Sequence, residues 1–205
     1  MHRSALLTPL AAVLIGCTGC AVVSTDVAAG GAVATAPASQ SPPAGGTGAP
    51  AEEQVARAVF DRVNAEREER GLGPVSWNDD LAAVARGWSQ EMSETGRFEH
   101  QDLQQVLQSD RVSGFTAMGE NLFRSTGPVP AGTIHAGWMR SDEHRVNVLN
   151  PGFDRLGVGV FCAADGSVWA TQEFGRTTGA DRPAVASTTP PVEPIARPED
   201  DGPTC

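Results

Sequence analysis

Residues 52–176 predict an α+β fold, on three observations. Apolar residues recur at helical spacing early in the region, as at Val55, Val59 and Val63. Two β-rich runs, residues 156–162 and 168–174, flank Ala164-Asp165-Gly166, a composition suited to a tight hairpin. Helical patterns dominate before these runs, so the expected order is three or four helices and a small antiparallel sheet built mainly from the C-terminal third.

Taken in order, the first helix places Val55, Val59 and Val63 inward. Arg57, Asp61, Glu66, Glu68 and Glu69 fill its wet side, and Gly71 with Gly73-Pro74 ends it. Asn78-Asp79-Asp80 is an N-cap for a second helix with the apolar stripe Leu81, Ala85, Trp88 and Met92, closed by Gly96. Phe98-Glu99-His100 reads as a short extended connection, residues 103–107 as a brief helix and residues 115–123 as a strand. A helix over residues 131–141 buries Ile134 and Trp138, with His135 beside that stripe read as exposed. The polar stretch from there to Asn150 reads as a turn. In the first β-run Leu156, Val158, Val160 and Cys162 alternate with Gly157, Gly159 and Phe161. One face is therefore packed, and the other allows close approach.

The ends differ in kind from the middle. Residues 1–17 read as a lipoprotein-type signal peptide: His2 and Arg3, an apolar run, then Leu14-Ile15-Gly16-Cys17, which resembles a bacterial lipobox. In that reading Cys17 is diacylated and anchors the chain to a membrane. The alternative is an ordinary secretory signal cut near Ala21, and both readings place the protein outside the cytoplasm. The apolar run is short for a permanent membrane helix. Residues 18–51, rich in Ala, Gly, Pro, Ser and Thr, read as a disordered linker. Residues 177–205 read as a Pro-rich acidic tail without a core of its own.

The net charge is −10, and all 15 basic residues are arginines with no basic run among them. This balance disfavours nucleic acid as a partner, because phosphate backbones select concentrated positive charge. With Cys17 lipidated, Cys20, Cys162 and Cys205 remain in an oxidising compartment. The cysteine ending an otherwise untethered tail points to a Cys162–Cys205 disulfide. A buried Cys162 thiol with Cys205 free is the alternative.

Three segments carry side chains suited to chemistry: Phe98-Glu99-His100, Gly119-Glu120-Asn121 and the stretch holding Ser141, His144 and Arg145. Two imidazoles and a carboxylate can ligate a divalent metal such as zinc, form an acid–base pair, or hydrogen-bond one another as a structural staple. No H-E-x-x-H is present, so a zincin-type protease is not indicated. Ser141, three residues before His144, suggests a Ser–His–Glu arrangement, but there is no G-x-S-x-G elbow. Arg145 reads as the ion-pair partner of Glu120 or Asp142, with an anionic ligand as the alternative. Asn121 and Asn147 read as satisfying backbone groups around the cleft.

Read together, several segments resemble the CAP superfamily (cysteine-rich secretory, antigen 5 and pathogenesis-related 1), in its bacterial SCP-like extracellular branch. The segments in the first half are Val63-Asn64-Ala65-Glu66-Arg67, Val75-Ser76-Trp77-Asn78-Asp79-Asp80-Leu81, Phe98-x-His100 and Gly119-Glu120-Asn121-Leu122. Those in the second half are Trp138-x-x-Ser141-x-x-His144-Arg145-x-Asn147-x-Leu149, Phe153-x-x-Leu156-Gly157-Val158-Gly159-Val160 and Trp169-x-Thr171-Gln172-x-Phe174-Gly175. The resemblance implies a three-layer α-β-α sandwich around a central antiparallel sheet.

It also implies a cleft tetrad of two histidines and two glutamates. His100, Glu120 and His144 match three of its places, and Ser141 stands where animal and plant members carry the second glutamate. That departure weakens the transfer of metal binding to His100 and His144. The resulting expectation is an exported, lipid-anchored domain that binds a lipid, cell-wall or protein ligand at a cleft of His100, Glu120, Asn121, Ser141, His144 and Arg145. No defined reaction is expected. The alternatives are a peptide or ester hydrolase using His144 with Glu120 and either metal-bound water or Ser141, and a purely structural cluster.

Overall fold

The structure, a computed structural model, describes residues 50–180 and 197–205. The expected signal peptide and lipobox with Cys17, Cys20 and nearly all of the expected linker lie outside the described residues. Nine elements follow in order: α1 Ala51–Glu69, β1 Ser76–Trp77, α2 Asp79–Thr95, α3 Leu103–Leu107, β2 Phe115–Ser125, α4 Ala131–Arg140, α5 Asp142–Val148, β3 Arg155–Cys162 and β4 Val168–Thr177.

Local chemistry accounts for the boundaries. The Asn78 side chain accepts a hydrogen bond from the Leu81 N–H at 2.8 Å, and Gly96 ends α2 at φ 69° in the left-handed region. The stretch expected as a turn after Trp138 is instead a second helix. Ser141 adopts an extended backbone (φ −91°, ψ 122°), which ends α4 and starts α5.

The sheet order is β1-β3-β4-β2. β3–β4 and β4–β2 are antiparallel as expected, but β1 pairs with β3 in parallel, so the sheet is mixed. A parallel neighbour needs a long crossover, and the chain between β1 and β3 supplies one.

Helices cover both faces, giving the three expected layers. On one side α1, α4 and alternate β3 and β4 residues share a core of Val55, Val59, Val63, Ile134, Trp138, Leu156, Val158 and Phe174. On the other, α2 lies directly on the glycine positions of β3. A Cβ at Gly157 would sit 2.1 Å from the Ala82 nitrogen, and one at Gly159 would sit 1.9 Å from the Arg86 nitrogen. α3 joins this layer through a cluster of Leu81, Val84, Val106 and Val112.

Two expectations about burial fail where α1 packs against α4: Glu66 and His135, expected on wet faces, are buried, with His135 Nε2 3.6 Å from Glu66 Oε1. The C-terminal residues 197–205 return across α1 and α4 as a strap. Arg62, also buried, donates to the carbonyls of Pro198 and Asp201 at 2.9 Å each. Ala131 and Gly132, in the first turn of α4, donate their N–H groups to the carbonyls of Pro203 and Asp201. Pro130 gives α4 no side-chain cap, so the strap supplies acceptors that the helix end lacks. Cys205 closes the strap by a disulfide to Cys162, the expected pairing.

Candidate functional site

The candidate site straddles β2, an edge strand of the sheet. Successive residues of a strand point to opposite faces, so Glu120 and Asn121 serve different helical layers. Glu120 faces the α2 layer, where His100 follows the end of that helix. The His100 Nδ1 lies 2.6 Å from Glu120 Oε1. The backbone N–H of Gln101 donates to the same oxygen at 3.1 Å, and Gln101 Nε2 donates to Oε2 at 2.9 Å. The Glu120 side chain is 1% exposed, whereas that of His100 is 60% exposed. With Nδ1–H held by the carboxylate, Nε2 is the ring nitrogen left to a ligand.

Asn121 faces the other layer and clamps α5. Its Nδ2 donates to the His144 carbonyl and to Gln172 Oε1, both at 3.0 Å. Asn147 Nδ2 donates to Asn121 Oδ1 at 2.9 Å and to the Glu120 carbonyl at 3.1 Å. Both asparagines therefore satisfy polar groups around the cleft, and the ladder positions His144. Partial burial lowers the His144 pKa below the usual imidazole value, and the nearby His100 lowers it further against an opposing pull from Glu143. The His144 ring is thus held toward its neutral form.

Arg145 is buried and donates to the Met139 carbonyl at 2.9 Å and to Asp142 Oδ1 at 2.6 Å. Of its two expected partners the structure selects Asp142. Ser141 serves as the break between α4 and α5 and has no side-chain capping bond. Glu120 pairs with His100, not with His144. The geometry therefore does not assemble the Ser141–His144–Glu120 order that the hydrolase alternative needs.

Two site residues escaped the sequence reading, Gln101 and Glu173. Glu173 faces Glu120 across the β2–β4 ladder and is fully buried. Gln101 Nε2 bridges the two carboxyl groups, reaching Glu173 Oε1 at 2.7 Å. Burial raises the Glu173 pKa well above the usual carboxyl range, and adjacent Glu120 raises it further. The Glu173 carboxyl is thus biased toward its protonated form. A carboxylate amid the apolar run Val168 to Phe174, in phase with Trp169 and Thr171, was the available signal.

The donor set does not form a closed metal site. Among the described residues no group of three or more His, Cys, Asp or Glu side chains is arranged to hold an ion. Glu120, the natural third donor beside His100 and His144, is engaged by His100 and Gln101.

A family model described as "CAP: Cysteine-rich secretory protein family" matches residues 60–174, more than half of the chain. The chain belongs to the CAP family. Over 122 residues the CAP domain is 34% identical to the uncharacterised protein YkwD of Bacillus subtilis, covering 58% of this chain and 46% of that protein. Among solved structures it resembles an extracellular SCP-domain protein of Bacillus anthracis, with 28% identity and a TM-score of 0.50 over 62% of this chain and 41% of that one. A cysteine-rich secretory protein of Staphylococcus aureus matches at 26% identity and a TM-score of 0.51, over 62% and 39% of the two chains. The chain spans less than half the length of each of these relatives.

Proposed function

We propose that this CAP protein is an extracytoplasmic binding module that takes an envelope ligand (lipid, cell-wall fragment or protein) at the His100–Glu120–His144 edge. In this reading diacylated Cys17 holds it to a membrane, and residues 18–51 act as the tether. The relative from Bacillus anthracis described as extracellular supports the location.

One observation carries the binding reading: a fully buried carboxylate fixes a ring that is mostly in solvent. Burying a carboxylate is costly unless it is paired and hydrogen-bonded. An exposed imidazole contributes little to the core in return. Holding that ring in one orientation serves a molecule arriving from outside.

The test compares the folded wild-type chain with His100→Ala and His144→Ala, using cosedimentation with purified cell-wall sacculi and with phospholipid vesicles. Retention on one probe should weaken by about tenfold or more in both variants, about 1.4 kcal/mol of binding free energy. Equal retention with unchanged circular dichroism places the binding surface elsewhere and leaves the cluster as a staple. Titration with zinc alone, wild type against the double variant, decides whether the two imidazoles recruit an ion.

A further inference from the structure

Beside His100 a groove runs along the open side of α2, between that helix and residues 101–111. It consists of two hollows of about 380 and 480 Å³, and Trp88, Glu91, Gln101 and Arg111 line both. From Asp80 to Glu91 the helical wall is about 16 Å long at the usual rise per residue.

Three features define what would fit. The Trp88 indole is fixed, donating from Nε1 to the Glu99 carbonyl at 3.0 Å, with part of the ring packed on the Met92, Leu122 and Trp169 cluster. It is a rigid apolar plate at the groove's centre, able to make contact with little loss of conformational freedom. Next, the side chains of Glu91, Gln105 and Arg111 make no hydrogen bond or ion pair with other described residues, and all three line the groove. The Gln101 Oε1 is likewise unengaged, although its Nε2 is tied to Glu120 and Glu173. Finally, these groups mix donors with acceptors and positive with negative charge. An acyl chain or sterol laid over them would strip their water without replacing the lost hydrogen bonds. Hydroxyls, each able to donate and accept, meet them all.

We infer that this groove binds a carbohydrate. The apolar face of a pyranose ring stacks on Trp88, and its hydroxyls bond to Gln101, Gln105, Glu91 and Arg111. The inference rests on the binding-module reading and names its ligand class, because Gln101 joins the groove floor directly to Glu120.

The folded chain is titrated with N-acetylglucosamine hexamer, maltohexaose, glycan strands released from cell-wall sacculi, and the sacculus stem peptide alone. Calorimetry gives the affinity, and the indole N–H resonance of Trp88 reports the site. Saturable binding of an oligosaccharide is expected, with that resonance shifting. Affinity should weaken by about tenfold or more in Trp88→Leu and in Arg111→Ala. Selective binding of released strands and the N-acetylated hexamer assigns a cell-wall glycan, and binding of maltohexaose as well assigns hexose chains in general. Trp88 also packs against Met92, Leu122 and Trp169, so Arg111→Ala, at an exposed position, carries the test if Trp88→Leu fails to fold. The proposal is overturned if no oligosaccharide binds, if only the stem peptide binds, or if both substitutions leave sugar affinity unchanged. Sugar binding lost in Arg111→Ala but kept in His100→Ala upholds the groove and removes the histidine edge. Retention on sacculi or vesicles that needs His100, without oligosaccharide binding, upholds the edge and removes the groove.

Discussion

Removing the Cys162–Cys205 bond by Cys162→Ala with Cys205→Ser tests how the last residues are held. The disulfide joins positions separated by 43 residues. In the chain-entropy model, cross-linking a loop of that length removes about 13 cal/mol/K from the unfolded chain, or about 4 kcal/mol at 25 °C. For a domain of this size the melting temperature should fall by about 10 °C. The strap adds a local readout, since Ala131 and Gly132 donate to the carbonyls of Pro203 and Asp201. If the disulfide holds the strap, hydrogen exchange at these two amides should accelerate more than at the centre of β4. A melting point within about 2 °C of wild type would refute the entropy assignment. Loss of stability with both amides still protected would show that Arg62 and the Thr133–Glu199 contact hold the strap unaided.

Glu173→Gln should change how stability depends on pH. The folded Glu173 carboxyl binds its proton more tightly than the usual value of 4.5. Its stabilising contribution is therefore complete below that pH and is lost as pH rises towards the folded pKa. Each tenfold in proton affinity corresponds to about 1.4 kcal/mol. Urea midpoints should put the variant near wild type at about pH 4 and above it at about pH 7; a constant difference across this range counts against a retained proton. Gly159→Ala should be strongly destabilising, because its Cβ would fall 1.9 Å from the Arg86 backbone nitrogen and must push α2 off the sheet. A loss of about 3 kcal/mol or more in thermal melts is the expected scale, and an unchanged melt would mean that the helix does not rest on β3.

Much of this protein follows from short-range pattern. Val55, Val59 and Val63 place the buried side of α1, Asn78 caps α2, and Gly157 and Gly159 open β3 to close approach. Ala164-Asp165-Gly166 makes the hairpin, with Gly166 at φ 85°. These outcomes depend on steric and hydrogen-bonding choices within a few residues, which a sequence displays directly. His100, Glu120 and His144 were legible as a candidate set by their residue types and by family resemblance. Their pairing was not: only the alternation of Glu120 and Asn121 across β2 decides that Glu120 holds His100 while Asn121 holds the His144 backbone. Glu173 joins Glu120 through strand register, and register is a property of two strands together. Glu66 and His135 look like surface residues on their own helices and are buried because they face each other where α1 packs against α4. The sequence by itself determines which residues can form each helix and strand and which side chains could act. The tertiary structure alone decides which polar groups lose water and whom they meet, because desolvation is set by whatever distant segment comes to cover them.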